Sequence, residues 1–77
     1  MTVRITINLF ATLKKFTPES SGTYAIESGV TVEKLLEELY VPLDEVKLVF
    51  IDGVRHDLTA VLKGGERVGI FPAVGGG

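Results

Sequence analysis

Val3, Ile5, Ile7 and Leu9 alternate with Arg4, Thr6 and Asn8, the period-two pattern of a strand with one face in a core and the other in solvent. The stretch that follows, Leu13 to Gly22, holds Lys14, Lys15, Pro18, Ser20 and Ser21. It reads as a loop or short turn, with Leu13 and Phe16 placed to cover the core edge. A second strand is expected over Gly22 to Ile26, paired with the first. The period then changes. Val32, Leu35, Leu36 and Leu39 stand at i, i+3, i+4 and i+7, and Pro42 closes the segment, which predicts an amphipathic helix with Thr31 as its N-cap. Lys34 occupies the position where a reciprocal capping box needs Glu or Gln, but Val30 and Leu35 are spaced as a hydrophobic staple and Glu33 suits the first turn. Glu37 and Glu38 lie off the apolar stripe and read as a solvated face.

Beyond the helix, Leu48-Val49-Phe50-Ile51 is a short apolar strand, and Asp52-Gly53 is a dipeptide suited to a tight hairpin turn into Val54-Arg55. Leu58 to Leu62 should add core residues, Lys63-Gly64-Gly65 should turn the chain, and Glu66 to Phe71 should form the last strand. The Gly64-Gly65 pair lacks both a following helix and the Lys-Ser/Thr of a phosphate loop, so a turn is the better reading. Strand, strand, helix, strand, short strand, last strand in this length predicts an α+β chain, a mixed four- to five-stranded sheet packed on one main helix. That is a β-grasp. In such a sheet the first and last strands are parallel neighbours. With Val3, Ile5, Ile7 and Leu9 facing the helix, parity puts Phe10 on the opposite face, and with Val68 and Ile70 inward, Phe71 joins it. The two rings should meet as an exposed aromatic patch.

Composition narrows the function. Seventy-seven residues, 45% hydrophobic and 23% charged, make one small globular domain, expected over residues 1–71 with an extended tail over 72–77. The net charge is −2 and basic residues are scattered apart from Lys14-Lys15, which argues against a nucleic-acid partner. No apolar run approaches a membrane span, and the first residues lack the layout of a signal peptide. A cytoplasmic protein with no membrane partner is expected. There is no cysteine and a single histidine, His56, so thiolate chemistry is excluded, no metal site is expected, and a self-contained active site is hard to assemble. His56, after a turn, reads as a surface or edge residue.

The chemistry points instead to Gly75-Gly76-Gly77, directly behind the last strand. Glycine loses more freedom on ordering than any other residue, so a glycine end contributes nothing to folding. A backbone without Cβ atoms can thread a narrow tunnel and deliver a terminal carboxylate. Glycine runs also serve as flexible linkers. Leu9-Phe10-Ala11, the helix from Thr31 to Leu36, and above all the run from Gly65 to Gly77, with Phe71-Pro72-Ala73-Val74 ahead of the glycines, resemble the MoaD/ThiS family of ubiquitin-like sulfur carriers. The ending is most similar to the MoaD members, small subunits of molybdopterin synthase. Three positions depart from that pattern: Ala73 replaces a usual second proline, Gly75 a usual small residue other than glycine, and Arg55 an expected apolar interface residue.

The resemblance implies a carrier rather than an enzyme. Gly77 would be the reactive residue, Gly75 and Gly76 would thread the partner's tunnel, and Phe10, Phe71, Pro72 and Val74 would contact the partner. An adenylating enzyme of the ubiquitin-activating type, similar to MoeB or ThiF, would use ATP to convert the Gly77 carboxylate into an acyl-adenylate. A persulfide or sulfide would then displace AMP to leave a thiocarboxylate. By the same resemblance, the acceptor would be a pterin precursor held by a large synthase subunit similar to MoaE, and the chain itself would bind no cofactor. Carriers with similar endings also serve thiamine, cysteine or homocysteine, tungsten-cofactor and tRNA-thiolation pathways. Ubiquitin-like modifiers use the same adenylation to form isopeptide bonds with lysine. A plain β-grasp interaction module is the third class.

Overall fold

The structure is a computed structural model that describes residues 1–73. Its elements are β1 (Thr2–Leu9), a 3-10 helix (Ala11–Phe16), β2 (Tyr24–Glu27), α1 (Val32–Glu38), a second 3-10 helix (Leu43–Glu45), β3 (Val46–Ile51), β4 (Val54–His56) and β5 (Arg67–Pro72). The strands form a single sheet in the order β2-β1-β5-β3-β4. β1 and β5 run parallel at its centre, and every other pair is antiparallel. One face carries α1. The alternation in β1 places Ile5, Ile7 and Leu9 on that face, where they join Val68 and Ile70 of β5, Val49 and Ile51 of β3, and Val32, Leu35 and Leu36 of the helix in one buried cluster. This is the β-grasp expected from the order of elements.

The helix begins as expected. Thr31 has extended backbone, and its Oγ1 accepts the Lys34 N–H at 3.2 Å, satisfying one of the donors left over in the first turn. The helix ends at Glu38, ahead of the Pro42 expected to close the segment. Tyr40 N–H donates to the Glu37 carbonyl and Val41 N–H to the Leu36 carbonyl, the pair of bonds that defines a Schellman motif. The position that usually takes glycine is held by Tyr40, at φ 62°, while Val41 drops into the core. The β3–β4 turn matches its sequence. Asp52 and Gly53 both have positive φ, 53° and 82°, as a type I′ hairpin requires.

Three expectations shift. The segment after β1 is ordered as a 3-10 helix whose Leu13 is fully buried and whose Phe16 packs against the core. The three-residue repeat of this helix type is too short to leave a periodic trace. The second strand occupies Tyr24–Glu27 rather than residues 22–26, because Thr23 N–H closes a turn onto the Ser20 carbonyl before the regular ladder begins. Within Leu58 to Leu62, Leu62 is buried and Leu58 and Ala60 pack on the core, but Val61 is half exposed. It sits in an isolated bridge with Thr31.

Several stability measurements test these local arguments. Tyr40 is 84% exposed and contributes little packing to offset its left-handed backbone, so Tyr40→Gly should raise unfolding free energy by about 0.5–1 kcal/mol in urea titrations. Gly64 combines φ 123° with a position where a Cβ would lie 2.8 Å from Val3 Cβ. Gly64→Ala should therefore cost about 2–3 kcal/mol, whereas Gly22→Ala, with open space and ordinary φ, should lie within about 0.5 kcal/mol of the parent. Equal effects at the two glycines would contradict the assignment. Glu27 accepts hydrogen bonds from the Met1 ammonium at 3.2 Å and the Thr2 hydroxyl at 3.0 Å. These bonds and the ammonium's charge hold its pKa below the usual 4.5. A depressed folded-state pKa gives stability that is present above the unfolded value and fades as pH falls through the folded one. Glu27→Gln should flatten that part of the acid limb, and an unchanged limb would show that the pair contributes nothing.

Candidate functional site

The open face of the sheet carries the site. Leu9 lies opposite Ile70 in the parallel ladder, and Phe10 N–H extends that ladder by one bond to the Ile70 carbonyl at 3.1 Å. The next residues on the two strands, Phe10 and Phe71, therefore stand side by side away from the helix. Their rings stack with centroids 4.3 Å apart and planes 5° from parallel. Phe50, from β3, meets Phe71 edge-on at 5.6 Å and 83°. Such aromatic pairs contribute about 0.5–1.5 kcal/mol each beyond area burial, so the cluster is rigid while still presenting apolar surface. Phe10 is 38% exposed, and Phe50 and Phe71 are half-buried.

Gly69 is the floor between the rings. It lies opposite Phe50 on one side and Asn8 on the other. A Cβ there would sit 3.5 Å from Phe10 Cε2, 3.7 Å from Phe71 Cε1 and 4.0 Å from Phe50 Cβ. Gly69 lines an open concavity of about 640 Å³, walled by the three phenylalanines and bounded at its far end by Asn8, Asp52 and Arg67. That end is also braced. Asp52 Oδ1 accepts the Arg67 N–H at 3.0 Å, and Asp52 N–H donates to the Arg67 carbonyl at 2.9 Å.

At the near end the chain leaves the sheet. Pro72 pairs with Val46 of β3, and Ala73 N–H donates to the Glu45 carbonyl at 3.0 Å. Beyond Phe10 the β1 chain has turned into its 3-10 helix, so a residue without an N–H is tolerated on this last step of β5. The structure thus brings Phe10, Phe71 and Pro72 together at the root of the C-terminal segment. Val74, Gly75, Gly76 and Gly77, assigned to partner contact, threading and reaction, lie outside the described residues. Phe50 and Gly69 were missed, although parity within β3 marks Phe50 once Val49 and Ile51 are known to face inward. In the sequence, the unbroken run Leu48-Val49-Phe50-Ile51 hid that alternation.

No group of three or more histidines, cysteines or carboxylates able to hold a metal occurs among the described residues. His56 is exposed on the edge strand β4. No helix among the described residues is long and apolar enough to cross a membrane. What the face offers is an aromatic anchor site beside an exiting chain, the arrangement of residues that dominates protein interfaces. Gly69→Ala should test the concavity: in a strand it should fold as well as the parent or better, yet reduce partner affinity. Phe10→Ala and Phe71→Ala should lower affinity by a larger factor than the folding constant. Loss of folding with unchanged affinity in the remaining folded fraction would make the rings structural.

The model of a family described as Mut7-C ubiquitin matches residues 2–75. No curated protein matches the chain. Among solved structures, the HVO 2177 protein of Haloferax volcanii superposes with a TM-score of 0.75 at 22% identity, over 99% of this chain and 88% of that one. A putative molybdopterin converting factor, subunit 1, from Pyrococcus furiosus gives 0.63 at 24%, over 94% and 99%. The small archaeal modifier protein 1 of H. volcanii gives 0.67 at 20%, over 94% and 99%. At these identities the likeness is one of fold.

Proposed function

We propose that this chain, which belongs to the Mut7-C ubiquitin family, is a carrier that presents the carboxylate of Gly77 to an adenylating enzyme and then delivers sulfur from it as a thiocarboxylate. The observation that carries this reading is the placement of the rigid Phe10–Phe71 stack at the point where β5 leaves the sheet, with three glycines four to six residues beyond Phe71. Holding a chain segment in one conformation inside a partner's tunnel costs roughly 1–2 kcal/mol per residue, so the glycine end cannot supply binding affinity alone. The aromatic face at its root supplies the rest.

The chemistry follows from the carboxylate. A carboxylate oxygen attacks the α-phosphorus of ATP, pyrophosphate leaves, and the product is an acyl-adenylate with AMP as leaving group. Hydrosulfide attack on the acyl carbon expels AMP and gives the thiocarboxylate directly. A persulfide donor gives an acyl disulfide, which a thiol reduces to the same product. The chain has no cysteine, so it offers no thiol of its own to capture the activated acyl group. Catalysis then resides in the partners, in a cytoplasmic pathway, and the similarity of ending to molybdopterin synthase small subunits favours a pterin precursor as acceptor. The likeness in fold to a small archaeal modifier supports a second reading, in which the same adenylate is passed to a lysine amine.

Intact-mass spectrometry of the protein from its own cell separates these. A chain ending at Gly77 with oxygen exchanged for sulfur is the expected result, and a Gly77 carbonyl joined to lysine selects the modifier. A chain that continues past Gly77, or one ending there with neither modification, contradicts both. Deleting Gly77 should leave the urea midpoint unchanged and reduce sulfur transfer by at least ~100-fold, since a misplacement of about 1 Å already costs that much.

A further inference from the structure

Every arginine in the chain lies on the open face of the sheet. Arg4 shares the outward parity of Thr6 and Asn8 in β1, whose alternate residues Ile5, Ile7 and Leu9 are buried. Arg67 lies opposite Thr6 in the parallel ladder and borders the concavity. Arg55 stands directly opposite Phe50, and directly paired residues project from the same side of a sheet. The lysines are distributed otherwise: Lys14 and Lys15 lie on the first 3-10 helix, Lys34 on α1, Lys47 in β3 at the register shift between Val46 and Leu48, and Lys63 in the loop before β5. The same face also carries Glu27, paired with Thr2, and Asp52 at the rim of the concavity, so with three arginines against these two carboxylates it is less acidic than the chain as a whole, whose net charge is −2.

Among the described residues no guanidinium group is held in an ion pair. The ion pair found among the described residues joins the Met1 ammonium to Glu27, and no carboxylate there lies within ion-pair distance of any arginine. Arg4 gives one donor to the Thr23 carbonyl at 3.2 Å. Asp52 directs Oδ1 at the backbone of Arg67 rather than at a guanidinium. Each arginine thus retains most of its planar fork of donors, which matches a carboxylate bidentately and desolvates more readily than an ammonium. From strand spacing, the Cα atoms of Arg4 and Arg67 are about 8 Å apart and those of Arg55 and Arg67 about 12 Å. Arg67 borders the Phe10–Phe50–Phe71 concavity, Arg55 stands on the strand beyond Phe50, and Arg4 lies further along β1, four residues from Asn8.

We propose that the three arginines make this face selective for a protein partner that inserts an apolar side chain over Gly69 and surrounds it with Asp or Glu side chains. The inference rests on the proposed carrier role and names the chemistry of the docking partner within it. Arg55 is a specificity-determining residue: its opposition to Phe50 puts a charge where an apolar partner surface would be rejected by the cost of desolvating it. Sequence-specific binding of RNA is the competing use of a sheet with aromatics and arginines. The acidity of the rest of the chain disfavours it, because a phosphate backbone extends well beyond three contacts.

The test uses the adenylating enzyme of the same cell, isolated by ATP–pyrophosphate exchange that depends on this protein. Arg4→Gln, Arg55→Gln and Arg67→Gln should fold as the parent by circular dichroism and weaken binding by roughly 5–30-fold each. Arg55→Lys should recover only part of the loss. Added NaCl should weaken the parent more steeply than the triple variant. Parent affinity in all three variants, with Phe71→Ala still weakened, would overturn the proposal while leaving the carrier role standing. No exchange from any enzyme of that cell would remove the carrier role, and the docking chemistry with it. Arginine-dependent binding of a single-stranded RNA oligonucleotide in fluorescence anisotropy, without binding to the enzyme, would reassign the face to nucleic acid.

Discussion

The parallel pairing of β1 with β5 is the constraint on which the rest depends. It joins residues some sixty positions apart, Thr6 with Arg67 and Leu9 with Ile70, and so holds the whole intervening chain in a closed loop. On the helix side this register aligns Ile7 and Leu9 with Val68 and Ile70, all buried. On the other side the same register aligns Phe10 with Phe71. Core and candidate site are therefore two readings of one alignment. A slip of one residue in β5 would turn Val68 and Ile70 to solvent and Phe71 into the core, so the burial that stabilises the fold also fixes the aromatic face.

The connections around this pair are short and strained in specific places. The helix stops in a Schellman motif that puts a tyrosine in left-handed backbone and returns Val41 to the core. The β3–β4 turn is a tight hairpin, with Asp52 tied at both its backbone and its carboxylate to Arg67. Before β5, Glu66 accepts from the Lys63 and Gly64 N–H groups at 2.8 and 2.7 Å, while Gly65 N–H reaches the Arg4 carbonyl at 2.7 Å. Each device acts on β5 or on the strand beside it. In a domain this small, with limited core burial, such local bonds set where the last strand starts and hence where the chain leaves the sheet.

Much of this was legible because it rests on periodicity. The alternation of β1, the helical stripe from Val32 to Leu39 and the Asp52-Gly53 turn each carry their own period or dipeptide. The meeting of Phe10 and Phe71 followed from parity alone. What escaped has no periodic signature. Leu13 reads as a core-edge residue, but the six-residue 3-10 helix that buries it is too short to leave a repeat, and the helix end relies on Tyr40 where the usual signal is glycine. Phe50 lay inside an apolar run that reads the same on both faces. Gly69 shapes the concavity by what it lacks, and only the three rings around it in space reveal that. The common face of Arg4, Arg55 and Arg67 needed the register of three strand pairs, which no single segment records.

The proposed carrier uses a main-chain carboxylate rather than a side chain as its reactive group. Semisynthesis offers the narrowest change that tests this: the same 77 residues with Gly77 ending as the free acid or as the primary amide. Measured against the adenylating enzyme, ATP–pyrophosphate exchange should proceed with the acid and vanish with the amide, while both forms bind through the sheet face with similar affinity. Exchange that continues with the amide would place the activated group elsewhere in the chain and contradict the account.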